Sequence, residues 1–202
     1  MRWPGRNTPR KQAASCKPGG GDVTAIHERL PALRTKYDGL VFRSKTEARY
    51  GVFLKKLGIV YDYEPEAFPV GRTGYLPDLF LPGQSLIAEV KPSFDADPEG
   101  VQKWRDLIQE RGKERGVLLL PIRPHDNRFL LIGPDGRGGL WEEDQAQWYC
   151  CPAGYHYDVL PWPLVGCDAC QLDTGYWHED PRIDRAFDYA RSYKFGRGVT
   201  GG

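Results

Sequence analysis

Apolar residues recur at Tyr50, Phe53, Leu54 and Leu57 within SKTEARYGVFLKKL, the three- and four-residue spacing of a helix with one buried stripe. Ser44 supplies an amino-terminal cap, Glu47 its capping-box partner three positions on, and Gly58 the stop. The period then shortens. Val60 to Tyr63, Tyr75 to Leu81 and Leu86 to Val90 are strand-like runs, the last two joined as a hairpin through Pro82-Gly83-Gln84-Ser85. Helical spacing returns at Val101, Trp104, Leu107 and Ile108, so Glu99 to Arg111 reads as a second helix ended by Gly112. Gly116 to Pro121 is the continuous apolar run of a strand buried on both faces, and Phe129 to Ile132 adds a strand expected at an edge. Asp180-Pro181 opens a terminal helix whose Ile183, Ala186, Phe187 and Ala190 share one stripe, suited to docking on the rest of the chain. The order αβββαβ predicts an α/β fold, a mixed central sheet flanked by helices.

With 202 residues, 40% of them hydrophobic, the chain can build one full core and a small appendage. The expected division is a basic, Gly- and Pro-rich arm over 1–22, a core over 23–140 and a cysteine-bearing module with the terminal helix over 141–202. A net charge of +1 argues neither for nor against a nucleic-acid partner. No apolar run is long enough to span a bilayer, and the basic start lacks the apolar stretch of an export signal, so a cytoplasmic protein without membrane contact is expected.

The chemistry concentrates at Pro77-Asp78 and Glu89-Val90-Lys91. Residues two apart on a strand share a face, so Glu89 and Lys91 project together, and the hairpin brings Asp78 alongside them. Two carboxylates forced together among apolar neighbours repel and lose hydration, which a divalent cation relieves. Oxygen ligands with room for water suit magnesium or manganese. Glu47 is either a third ligand or only a capping-box residue. Arg43, Lys45 and Arg49 near the first helix, with Lys103 on the second, can hold phosphates or simply form solvated faces.

These residues carry a resemblance. PD, a hairpin and ExK, preceded by a Glu-bearing helix, resemble the PD-(D/E)XK nuclease superfamily. The stretches FRSKTEARYGVFLKKLGIVYDYEPEAF, GYLPDLFLP and AEVKP are most similar to small nucleases of bacteriophages and mobile elements, and more distantly to TnsA-like and Holliday-junction-resolving enzymes. The resemblance covers about residues 37–122. It implies a restriction-endonuclease-like core and magnesium-dependent hydrolysis of DNA phosphodiesters, with Asp78, Glu89, Lys91 and Glu47 as catalytic residues. Cutting both strands with one site per chain would call for a homodimer or a partner protein. The rival expectation is a non-cleaving adaptor on the same fold that binds nucleic acid or protein.

Four of the five cysteines fall between Cys150 and Cys170. With no export signal, such clustering favours metal over disulfides. Cys151, His156, Cys167 and Cys170 form a suitable tetrahedral zinc set, and Cys150 can replace Cys151, since adjacent residues compete for the same corner.

Overall fold

The computed structural model describes residues 33–71, 73–93, 97–123, 129–161 and 163–196. The expected arm over 1–22 lies outside the described residues. Along the chain the elements are β1 (Thr35–Tyr37), β2 (Leu40–Phe42), α1 (Lys45–Leu57), β3 (Asp62–Tyr63), β4 (Phe68–Val70), β5 (Thr73–Tyr75), β6 (Leu79–Leu81), β7 (Leu86–Val90), α2 (Pro98–Arg111), β8 (Arg115–Leu119), β9 (Phe129–Pro134), β10 (Leu140–Cys150), β11 (Tyr157–Leu160), β12 (Val165–Cys167), β13 (Leu172–Tyr176) and α3 (Pro181–Ser192). Seven strands form a mixed sheet in the order β11-β10-β9-β8-β7-β6-β3. Only β7 and β8 run parallel within it, joined by α2 as the crossover that parallel strands require.

Alternation along the strands divides the core. Leu79, Leu81, Leu86, Ala88, Val117 and Leu119 face α1 and α3, where Phe53 stacks on Phe187 at 4.0 Å between ring centroids. Ile87, Leu118 and Ile132 face Val101, Trp104, Leu107 and Ile108 of α2. By the same parity Glu89 lies on the α2 face. The helices end as their sequences dictate: Ser44 accepts the Glu47 N–H, and Gly58 and Gly112 adopt left-handed backbone at the carboxyl ends of α1 and α2.

Three expectations need correction. The run Tyr75 to Leu81 is not one strand: β5 pairs back on β4, and regular structure resumes only at Leu79. Pro77 offers no N–H to a ladder, and the Asp78 side chain takes the neighbouring strand's N–H instead. Val60 to Tyr63 shortens to two residues of β3. Phe129 to Ile132 is no edge strand, because β9 pairs with β8 on one side and β10 on the other. The described residues, from 33 to 196, belong to one compact unit. No break occurs near 140, where β10 begins and carries the central sheet on to β11.

Candidate functional site

Glu47 on the first turn of α1, Asp78 immediately before β6 and Glu89 in β7 are three of the four buried carboxylates among the described residues, only 7%, 2% and 6% exposed respectively; the fourth, Asp180, caps α3. The first three converge at one end of the sheet. Asp78 is anchored by its own strand pair: its Oδ2 accepts the Val90 N–H at 2.7 Å, and its carbonyl accepts the Glu64 N–H at 3.0 Å. Glu64 has φ 45°, a left-handed conformation that costs a side-chain-bearing residue energy and recurs at functional sites. Burial first, then the adjacent Glu89 charge, push the Asp78 pKa up to about 7.

Glu47 does not close the reciprocal half of a capping box. Its Oε2 accepts the Arg43 N–H, one residue before the cap, at 3.1 Å and the Tyr63 hydroxyl at 2.8 Å. Arg43, expected to meet phosphates, is half-exposed, but its guanidinium is engaged by the acidic site. Its guanidinium pairs with Asp78 and, at 2.7 Å, with Glu64.

Lys91 stands beside Glu89 as strand periodicity requires, with Nζ 3.0 Å from Glu89 Oε1 and 2.9 Å from Asp97 Oδ2. Asp97 also caps α2, accepting the Gly100 N–H at 3.0 Å, so one carboxylate fixes both the helix start and the lysine. Burial would lower the Lys91 pKa, but Glu89 and Asp97 outweigh it and raise it, keeping the ammonium charged. Glu89 Oε2 is a buried oxygen with no hydrogen-bond partner. Beside it, at the end of β5, the Tyr75 hydroxyl is likewise buried and unpaired, and burial followed by the Glu89 charge raises its pKa.

Of the other expected phosphate contacts, Lys45 is exposed on the first turn of α1 and Lys103 is exposed on α2, near enough to Asp97 to help lower its pKa. Arg49 is half-buried, and its Nε has no partner. Sequence reading missed the pairing of Arg43 with Asp78 and Glu64 and the parts played by Tyr63 and Tyr75. Asp97-Pro98 carried a readable helix-start signal, whereas no local signal ties Glu64 to Asp78.

A second centre forms where two hairpin turns meet. The β10–β11 turn presents Cys151 and His156, and the β12–β13 turn presents Cys167 and Cys170. Cys151 Sγ lies 3.7 Å from Cys170 Sγ; His156 Nδ1 lies 3.8 Å from Cys151 Sγ, 3.7 Å from Cys167 Sγ and 3.1 Å from Cys170 Sγ. A tetrahedral zinc with bonds of about 2.3 Å to sulfur needs edges of about 3.8 Å between sulfurs. The Cys151–Cys170 edge matches that value, so the four residues could hold such an ion. Burial opposes a thiolate at Cys151, but backbone donors, the His156 N–H foremost, bring its pKa down to about 6.

Cys150 belongs to another group. It lies with His178 and Asp180, and burial with the Asp180 carboxylate raises its pKa to about 11, so it stays a thiol. Arg182 already holds Asp180 through N–H contacts of 2.7 and 2.8 Å, the place a cation would take. The ambiguity between the adjacent cysteines resolves to Cys151. These two groups are the ones among the described residues whose donor atoms all lie within 4.8 Å of one another. The carboxylates of Glu47, Asp78 and Glu89 do not close that tightly, with Arg43 lying among them.

No family model, no curated protein and no solved structure matches the chain. Among the described residues, no helix is long and apolar enough to cross a membrane.

Proposed function

We propose that the protein is a metal-dependent endonuclease that hydrolyses DNA phosphodiesters at the Glu47–Asp78–Glu89–Lys91 site. The observation that carries this reading is the placement of three buried carboxylates beside a charged lysine, with Asp78 pushed up to about 7 and one Glu89 oxygen left unpaired. That donor set, all hard oxygens, fits magnesium or manganese. Asp78 and Glu89 would hold the ion, with Glu47 as a further ligand. When bound, the ion would polarise the scissile phosphate and make its water a better nucleophile. Lys91 remains an ammonium and serves as a positive partner for the phosphate's developing charge, not as a base. Lys45 and Lys103 are exposed cations available to neighbouring phosphates.

The resemblance to phage and mobile-element nucleases supports DNA as the substrate, and a homodimer or partner nuclease would allow both strands to be cut. Zinc is the proposed ion of the Cys151–His156–Cys167–Cys170 cluster, where it would be structural.

Asp78→Ala and Lys91→Ala should abolish hydrolysis while leaving circular dichroism and zinc content unchanged. Full activity in either variant would refute these roles. One observation favours a second reading: the Arg43 guanidinium seated on Asp78 is an internal counter-ion that does without a metal. A non-cleaving adaptor built this way would bind nucleic acid or protein, and neither magnesium nor manganese would elicit turnover.

A further inference from the structure

Among the fully buried side-chain oxygens of the acidic site, all but two have a protein partner. Glu89 Oε1 accepts from Lys91, Asp78 Oδ2 from Val90 and Asp78 Oδ1 from Arg43, while Glu47 Oε2 accepts from Arg43 and Tyr63. The two exceptions are Glu89 Oε2 and the Tyr75 hydroxyl, both fully buried. They are neighbours: Tyr75 packs on the cluster that contains Ile87, which shares a face of β7 with Glu89, and Glu89 acts on the Tyr75 hydroxyl both as the largest charge and as a nearby hydrogen-bonding group, although no bond of full hydrogen-bond geometry joins them. One is a donor short of an acceptor. The other is an acceptor short of a donor.

The ring of Tyr75 packs with Phe68, Phe80 and Ile87 against α2, a place that phenylalanine would fill as well. Only the hydroxyl needs another explanation, because an unpaired buried hydroxyl is destabilising unless some state of the protein uses it. We infer that Tyr75 is a positioning residue whose hydroxyl donates to Glu89 Oε2 and sets the orientation in which Glu89 grips a divalent cation. The inference rests on the metal-dependent reading of the site. Lys91 from one side and Tyr75 from the other would then hold both Glu89 oxygens, and such supporting hydrogen bonds commonly govern metal affinity. The hairpin β4–β5, which has no ligand of its own, acquires a function as the carrier of Tyr75.

The test is a manganese titration by calorimetry on protein whose Cys/His cluster is loaded with zinc, comparing the unaltered chain with Tyr75→Phe and Tyr61→Phe. Tyr61 supplies the control, a buried and unpaired hydroxyl outside the acidic site. Tyr75→Phe should weaken manganese binding by about tenfold or more, with its metal-free thermal midpoint unchanged or raised; Tyr61→Phe should leave the affinity as it was. In hydrolysis, Tyr75→Phe should need correspondingly more manganese, reach the original rate once saturated, and keep its KM for DNA. Equal affinities for Tyr75→Phe and the unaltered chain would overturn the role of Tyr75 and leave the site standing. No manganese binding by the unaltered chain would overturn the metal-dependent reading and this inference with it.

Discussion

Asp78 concentrates the electrostatics of the acidic site, and its proton has a consequence for stability. An unfolded aspartate titrates near 3.8, whereas Asp78 in the fold keeps its proton to about 7 because of burial and Glu89. Between those values the folded state holds the extra proton, so stability falls as pH rises through the window and levels off above it. With zinc loaded and no magnesium or manganese added, the thermal midpoint should drop between about pH 5 and about pH 7.5. Asp78→Asn, which still accepts from Val90, should flatten that slope, and an unaltered slope would remove Asp78 as its source. The cysteines give a second residue-scale prediction. Cys151→Ser should lose the bound zinc, while Cys150→Ser should retain one equivalent, as read by metal analysis after gel filtration. Glu89 and Lys91 were legible as neighbours because residues two apart on a strand share a face, and Asp78 because the hairpin before Leu86 brings it alongside them. Arg43 was not, since its partners Glu64 and Asp78 lie 21 and 35 residues away and only the folded sheet joins them. Nor could spacing choose between adjacent cysteines that face opposite sides of β10's end.

At the scale of elements, the helices were readable from caps and stripes, and α3 docks as its stripe demanded. Phe187→Ala would remove the ring stacked on Phe53 and should cost about 3–5 kcal/mol in urea unfolding; a loss of only a few tenths would show that α3 contributes little to the core. Gly116 of β8 lies beneath α2, where an added Cβ would sit 2.6 Å from Trp104 Cζ2 and 2.8 Å from Ile108 Cγ1. Gly116→Ala should therefore be destabilising by about 1–3 kcal/mol through overpacking, measured the same way. The strands were harder to read. WEEDQAQWYC in β10 is acidic and amide-rich, and a register shift between Glu143 and Ala146 interrupts its alternation, so periodicity gave no signal. Pro77 had the opposite effect, ending a run that looked continuous by taking away the N–H a strand would share.

For the whole molecule, the cysteine-bearing hairpin and α3 are built into the core, not appended to it. Trp148 of β10 packs on Phe53 at 5.4 Å, and α3 covers the same face of the sheet. Cutting the chain after residue 140 should leave a fragment with poor amide dispersion by NMR; a well-folded fragment would restore the idea of separate modules. Charge also sorts the surface. From Leu140 to Asp184 the sequence has nine acids and, as its basic residue, Arg182 alone. Such a region would repel phosphates, which agrees with the structural role proposed for zinc and with the proposed approach of DNA at Lys45 and Lys103. If the buried carboxylates and Lys91 cut DNA with a divalent ion, as proposed, then zinc-loaded protein incubated with labelled duplex, single-stranded and branched DNAs should cleave at least one of them in magnesium or manganese and none without added ion. Tight binding with no cleavage in either metal would rule out the nuclease.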